Sequence, residues 1–151
     1  MALLTTEEAK LLIEELKKYA DQAALDFPNR EKRKLRFDVF GEKRGHEFII
    51  NIEKKPYNPQ GYTWQGRYNR DNTILLRLDI NPSSRHVNPG TDEVIVGSHL
   101  HIYTEEFEDR YAVPFDTGNK FLSQICMEFF EQFHVIEPPH FLYKPELESH
   151  V

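Results

Sequence analysis

The sequence predicts an α+β fold: an antiparallel twisted sheet of five to six strands in a meander, with an N-terminal and a C-terminal helix packed on one face. Three observations lead there. Apolar residues recur every 3.6 positions near the N-terminus, alternate with a period of two through the middle of the chain, and return to the longer period near residue 120. At 151 residues, 39% of them hydrophobic and 29% charged, the chain fits one domain spanning 1–151.

The first helix is predicted over about 5–27. Thr5 and Glu8 have the spacing of a capping box, and Ala9, Leu12, Ile13, Leu16, Tyr19, Ala20, Ala23 and Phe27 form the stripe behind it, with Pro28 as the stop. "REKRK" at 30–34 reads as a charged connector. Strands then occupy about 35–114. Leu35, Phe37 and Val39 alternate with Arg36, Asp38 and Phe40, "EKRG" turns the chain, and Phe48, Ile50 and Ile52 alternate with Glu47, Ile49 and Asn51. "NPQG" at 58–61 suits a type I turn, and the next strand sets Tyr62, Trp64 and Tyr68 against Thr63, Gln65, Arg67 and Asn69. "NRDN" leads into "TILLRLDI", where Ile74, Leu76, Leu78 and Ile80 oppose Leu75, Arg77 and Asp79.

The loop "NPSSRHVNPGTDE" holds two proline turns, with Gly90 where a type II turn needs positive φ. A strand follows with Val96, Leu100 and Ile102 on one face and His99, His101 and Tyr103 on the other; "EFEDR" reverses it into "YAVPF". Asp116 or Thr117 is the expected cap of a second helix over about 117–133, whose stripe runs Phe121, Leu122, Ile125, Cys126, Phe129, Phe130 and Phe133. Cys126 is therefore expected in the core. Residues 134–151 are expected to be a peripheral tail, with Pro138 and Pro139 ending regular structure.

Charge and targeting narrow the function classes. Net charge is −3 over residues 1–28, +6 over 29–86 and −9 over 87–151. A basic middle can steer a polyanion despite the acidic total, unless the segments neutralise one another across the fold. The N-terminus lacks a signal-peptide pattern, no apolar run reaches the ~18 residues of a membrane span, and one cysteine forms no internal disulfide. These features predict a cytoplasmic protein without membrane contact.

The period-two alignment leaves a polar sheet face carrying Arg36, Asn51, Arg67, Arg77, Asp79, His99, His101 and Tyr103. Four readings of it stay open. His99 and His101, about 6–7 Å apart along one strand face, suit the acid and base of a metal-independent, ribonuclease-like phosphodiester transfer, with Arg67 or Arg77 stabilising charge and Tyr103 assisting. They also suit zinc with His86 or Asp79 as a third ligand, although no CxxC or HExxH element accompanies them. A third reading is binding without chemistry, through Arg36, Arg67, Asp79, His86 and Asn88. The fourth is a solvated sheet face with no functional role. The leading expectation is a small module, without a cofactor, that binds or acts on nucleic acid, RNA in particular. The rival is a protein-interaction module, an inhibitor or regulator, whose acidic C-terminal half (Glu105, Glu106, Glu108, Asp109) contacts a host or phage protein.

At "SRHVNPG" followed by "GSHLHIYTEEFEDRYAVPF" the chain resembles an uncharacterised family of small proteins from Gram-positive bacteria and their phages. The recurring residues correspond to His86, Asn88, His99, His101, Tyr103, Tyr111, Ala112 and Pro114. The resemblance implies no activity. It implies a prophage or mobile-element setting, where toxins, inhibitors and regulators are common.

Overall fold

The computed structural model describes residues 2–144. Helix α1 (Thr6–Glu14) opens with the expected capping box: Glu8 N donates to Thr5 Oγ1 (3.0 Å) and Thr5 N to Glu8 Oε1 (2.8 Å). It ends far short of residue 27. Leu16, Ala20 and Ala23, which extend the apparent stripe, face solvent, and the chain instead enters a short strand, β1 (Lys17–Tyr19). Ladder bonds to two neighbouring strands override the local helical preference of this stretch.

After β2 (Leu25–Asp26) come β3 (Lys34–Gly41), β4 (Glu47–Lys54), β5 (Tyr62–Tyr68) and β6 (Ile74–Ile80), the expected antiparallel meander. The turn at 58–61 closes with Gly61 N donating to Asn58 O at 3.0 Å. Strands β7 (Arg85–Val87) and β8 (Val94–Val96) form a hairpin of their own, and β9 (His99–Ile102) and β10 (Ala112–Pro114) return to the main sheet. Val96 thus belongs to a different strand from Leu100, because Gly97 breaks the run at φ 95°.

The main sheet has eight strands rather than five or six, in the order β10-β9-β6-β5-β4-β3-β1-β11. The additional two are β1, which the sequence pattern presents as helix, and β11 (Val135–Glu137), which it presents as tail. They lie side by side in parallel. The segment after the second helix is therefore not peripheral: Phe141 in β12 (Phe141–Leu142) is buried and stacks on Phe130 with ring centroids 5.9 Å apart, and β12 pairs with β2. The remainder of the expected tail, 145–151, lies outside the described residues.

Helix α2 (Leu122–Gln132) begins later than Asp116 or Thr117 would set it. Gln124 Oε1 accepts from Phe121 N at 2.6 Å and supplies the cap, while Asp116 Oδ1 accepts from Gly118 N in the preceding loop. Ala9 and Leu12 of α1 and Leu122, Ile125, Cys126, Phe129 and Phe130 of α2 join one core with the apolar sheet face. Burial pushes the Cys126 thiol up to about 12, and Trp64 Nε1 donates to its sulfur (3.4 Å). Among the described residues no helix is long and apolar enough to cross a membrane.

The C-cap residue of α2, Phe133, packs against the sheet at Gly66. Opposite Ile50 and Leu76 in the ladder, Gly66 leaves room for the Phe133 ring, whose nearest carbons would stand 2.7 Å from an added Cβ. Phe133 is fully buried and cannot swing away. Gly66→Ala is accordingly expected to cost about 1–3 kcal/mol by overpacking. Urea denaturation checks this; an unchanged midpoint would mean that α2 shifts freely over the sheet.

Candidate functional site

Register across the polar face determines which side chains meet. One transverse row runs Arg36, Asn51, Gln65, Arg77, His101 and Ala112, and the next runs Lys34, Glu53, Thr63, Asp79, His99 and Pro114. Strand β9 lies beside β6, so Arg77 stands next to His101 and Asp79 next to His99. The β7–β8 hairpin then brings His86 against both: ring centroids are 5.1 Å from His86 to His99, 4.9 Å from His86 to His101 and 4.8 Å from His99 to His101. Asn88 holds the hairpin down. Its amide is buried, with Nδ2 donating to Ala112 O (2.8 Å), and its Oδ1 accepts from Ala112 N (2.8 Å) and faces His86 Nε2 (3.0 Å).

His99 and His101 are only 5% and 2% exposed. This is not the solvated polar face that the alternation suggested, because the hairpin covers it. Asp79 sits between the two rings, with Oδ2 3.4 Å from His99 Nε2 and 3.1 Å from His101 Nε2, and Thr63 Oγ1 donates to its other oxygen at 3.0 Å. Arg77 closes the group. Its Nε donates to Asp79 Oδ2 (3.3 Å), its Nη1 to Asp109 Oδ2 (2.8 Å), and its Nη2 lies 3.1 Å from His101 Nε2.

The electrostatics follow from burial and pairing. Burial alone would raise the Asp79 carboxyl, but hydrogen bonds from His101 and His99 and the charge of Arg77 hold it well below the usual carboxylate range. Burial opposes protonation of His99, yet its bonds to Asp79 and to the Gly97 carbonyl leave it above the ordinary histidine value. His86 is pushed down, first by burial and then by the two neighbouring rings.

The structure gathers Arg77, Asp79, His86, Asn88, His99 and His101 into one contact group and leaves the other three candidates apart. Arg36 is exposed and four strands away from β9. Arg67 is tied to Asn51 (3.0 Å) and Asn72 (2.9 Å). Tyr103 lies on the core side, contrary to the parity that alternation assigns it, because β9 ends at Ile102; its hydroxyl donates to Leu4 O at 2.7 Å. Acid–base work by His99 and His101 would need rings free to exchange protons with a substrate, whereas here both Nε2 atoms face Asp79 beneath His86.

Sequence reasoning misses Asp109 as a member of this group, and with it the carbonyls of Gly97 and Arg110. Asp109 sits in a reversing loop where alternation carries no information, and backbone acceptors leave no trace in a sequence. Among the described residues, one ring nitrogen from each of His86, His99 and His101 lies within 4.8 Å of the others, a set able to hold a metal ion.

A family model described as "Family of unknown function (DUF6978)" matches residues 4–135, which take in both helices, the meander and the whole histidine group. The chain belongs to this family. No curated protein and no solved structure matches it. Within this DUF6978 chain the motif residues His86, Asn88, His99, His101 and Ala112 form one network: Asn88 bonds both backbone groups of Ala112, and Ala112 is the cross-strand partner of His101.

Proposed function

We propose that the protein is a nucleic-acid-binding module whose target is single-stranded RNA, held in the groove beside the histidine group. The observation that carries this is Tyr57. It is 97% exposed and lies two residues beyond Lys55, which lines a groove of about 400 Å³ with Thr63, Gln65, Arg77, Asn81 and Ser84 and with the acidic Glu53 and Asp79. The Tyr57 loop is anchored to that groove by Asn58 Nδ2 donating to Asn81 Oδ1 at 2.9 Å. An exposed aromatic ring on the loop beside a groove of hydrogen-bonding groups, with exposed Lys34 and Arg36 on the polar sheet face and exposed Lys55 just past β4, suits an unpaired base and its phosphates. Arg77 contributes shape and a fixed hydrogen-bonding edge, since two carboxylates neutralise its charge. The mobile-element setting implied by the motif resemblance fits such a target.

Fluorescence anisotropy with a mixed single-stranded RNA pool tests this. Three phosphate contacts predict a log–log salt slope near −2, so affinity falls about 15-fold between 50 and 200 mM salt. Tyr57→Ala is expected to weaken binding about tenfold, the equivalent of ~1.4 kcal/mol, without changing stability. Absence of binding, or binding indifferent to both salt and Tyr57, refutes it. Capture of a protein partner lost on reversing Glu105 and Glu106 would replace it with the interaction-module reading.

A further inference from the structure

We propose that His86, His99 and His101 bind one divalent transition-metal ion of the zinc class. The inference does not depend on what occupies the groove. It rests on where the ring protons must be.

Each imidazole has one nitrogen already committed to an acceptor. His86 Nε2 lies 3.0 Å from Asn88 Oδ1 and 3.0 Å from Arg110 O; the amide oxygen also accepts from Ala112 N, so both partners are acceptors and His86 Nε2 carries the proton. His99 Nδ1 lies 2.9 Å from Gly97 O and must donate to it. His101 Nε2 stands 3.1 Å from both Asp79 Oδ2 and Arg77 Nη2. An ionised carboxylate at that distance requires a donor, whereas Arg77 already has Asp79 and Asp109 to bond. His101 Nε2 therefore donates to Asp79.

What is left is one lone pair per neutral ring, on His86 Nδ1, His99 Nε2 and His101 Nδ1. His101 Nδ1 is buried and has no hydrogen-bond partner, which is unfavourable for a polar atom by about 1–3 kcal/mol unless something occupies the space before it. His99 Nε2 faces the Asp79 carboxylate at 3.4 Å; without a metal a second ring proton bridges the two, and a metal ion takes the place of that proton. The arrangement matches how proteins prepare histidine ligands, with the second nitrogen of each ring fixed by a carbonyl, an amide oxygen or a carboxylate. Local charge agrees: Asp79 and Asp109 outnumber Arg77, leaving the group one negative charge. Imidazole donors favour zinc and its neighbours over magnesium or calcium. Three protein nitrogens leave a coordination position for water, for Asp79 or for a ligand oxygen.

The test uses the full-length, tag-free chain, stripped with EDTA and titrated with Zn²⁺ by calorimetry, with Co²⁺ as an absorbance probe. One equivalent is expected to bind, and Co²⁺ is expected to develop visible bands of nitrogen ligation. His86 is only partly buried, so His86→Ala is the variant that keeps its fold; changes to partners of metal-bound histidines alone cost about 10–100-fold, so loss of a ligand is expected to weaken Zn²⁺ at least ~100-fold. Circular dichroism confirms folding. A folded wild-type chain that binds neither ion, or a folded His86→Ala chain that binds as tightly as wild type, overturns the assignment.

Discussion

Replacing Lys17 with methionine is expected to destabilise the fold by about 3–5 kcal/mol, a larger loss than either Gly66→Ala or Asp79→Ala should cause. Lys17 has no exposed surface. Its Nζ donates to Ile13 O (2.8 Å), Glu15 O (2.9 Å) and Phe133 O (2.7 Å), and it also lies 4.1 Å from the Phe133 ring centroid and 4.7 Å from that of Phe48. Burial draws the ammonium pKa down to about 7, partly opposed by Glu15, while three carbonyls use all three N–H groups. One ammonium thus serves carbonyls at the C-terminal ends of both helices, which have no basic residue in their last turns. Methionine keeps the volume but leaves three acceptors without donors. Guanidinium denaturation of Lys17→Met gives the number. A loss below about 1 kcal/mol would mean that water replaces the ammonium and that the helix ends do not depend on it.

The second large effect belongs to Asp79. Asp79→Ala is expected to cost about 2–4 kcal/mol in EDTA-treated protein, because it strips His99, His101, Arg77 and Thr63 of a shared partner at once. The side chain is 24% exposed, which keeps the cost below that of breaking a fully enclosed pair. Asp79→Asn retains an acceptor for Thr63 and is expected to lose less than the alanine variant. Equal losses would show that the charge of Asp79 carries its whole contribution and the retained acceptor none, and no loss in either would show that the histidine rings are held by the hairpin alone.

The α+β class and the meander were legible because a period of two marks each half-buried strand over at least seven residues, and Gly61 and Gly90 mark turns. The capping box at Thr5 was legible for the same local reason. The end of α1 was not. Leu16, Tyr19 and Ala20 continue a helical spacing, yet β1 is made by partners at 39–41 and 135–137, and no window of the sequence contains them. Three-residue strands such as β1 and β11 carry too little pattern to be seen. Tyr103 shows the limit from the other side: alternation holds only while the strand lasts, and β9 stops one residue earlier.

The histidine group divides in the same way. Sequence alone determined that His99 and His101 share a strand face and that Arg77 and Asp79 share another, since side chains in a strand alternate and positions two apart point together. It could not determine that β6 and β9 are neighbours, which hairpin covers them, or that Asp109 returns to Arg77. Those follow from non-local pairing, in which the β7–β8 hairpin is set aside so that β9 can dock on β6. The physical reason is that a local pattern records only which side of the sheet a residue faces. A site made of three touching imidazole rings and one shared carboxylate depends on strand order and register, and these are decided by the whole core.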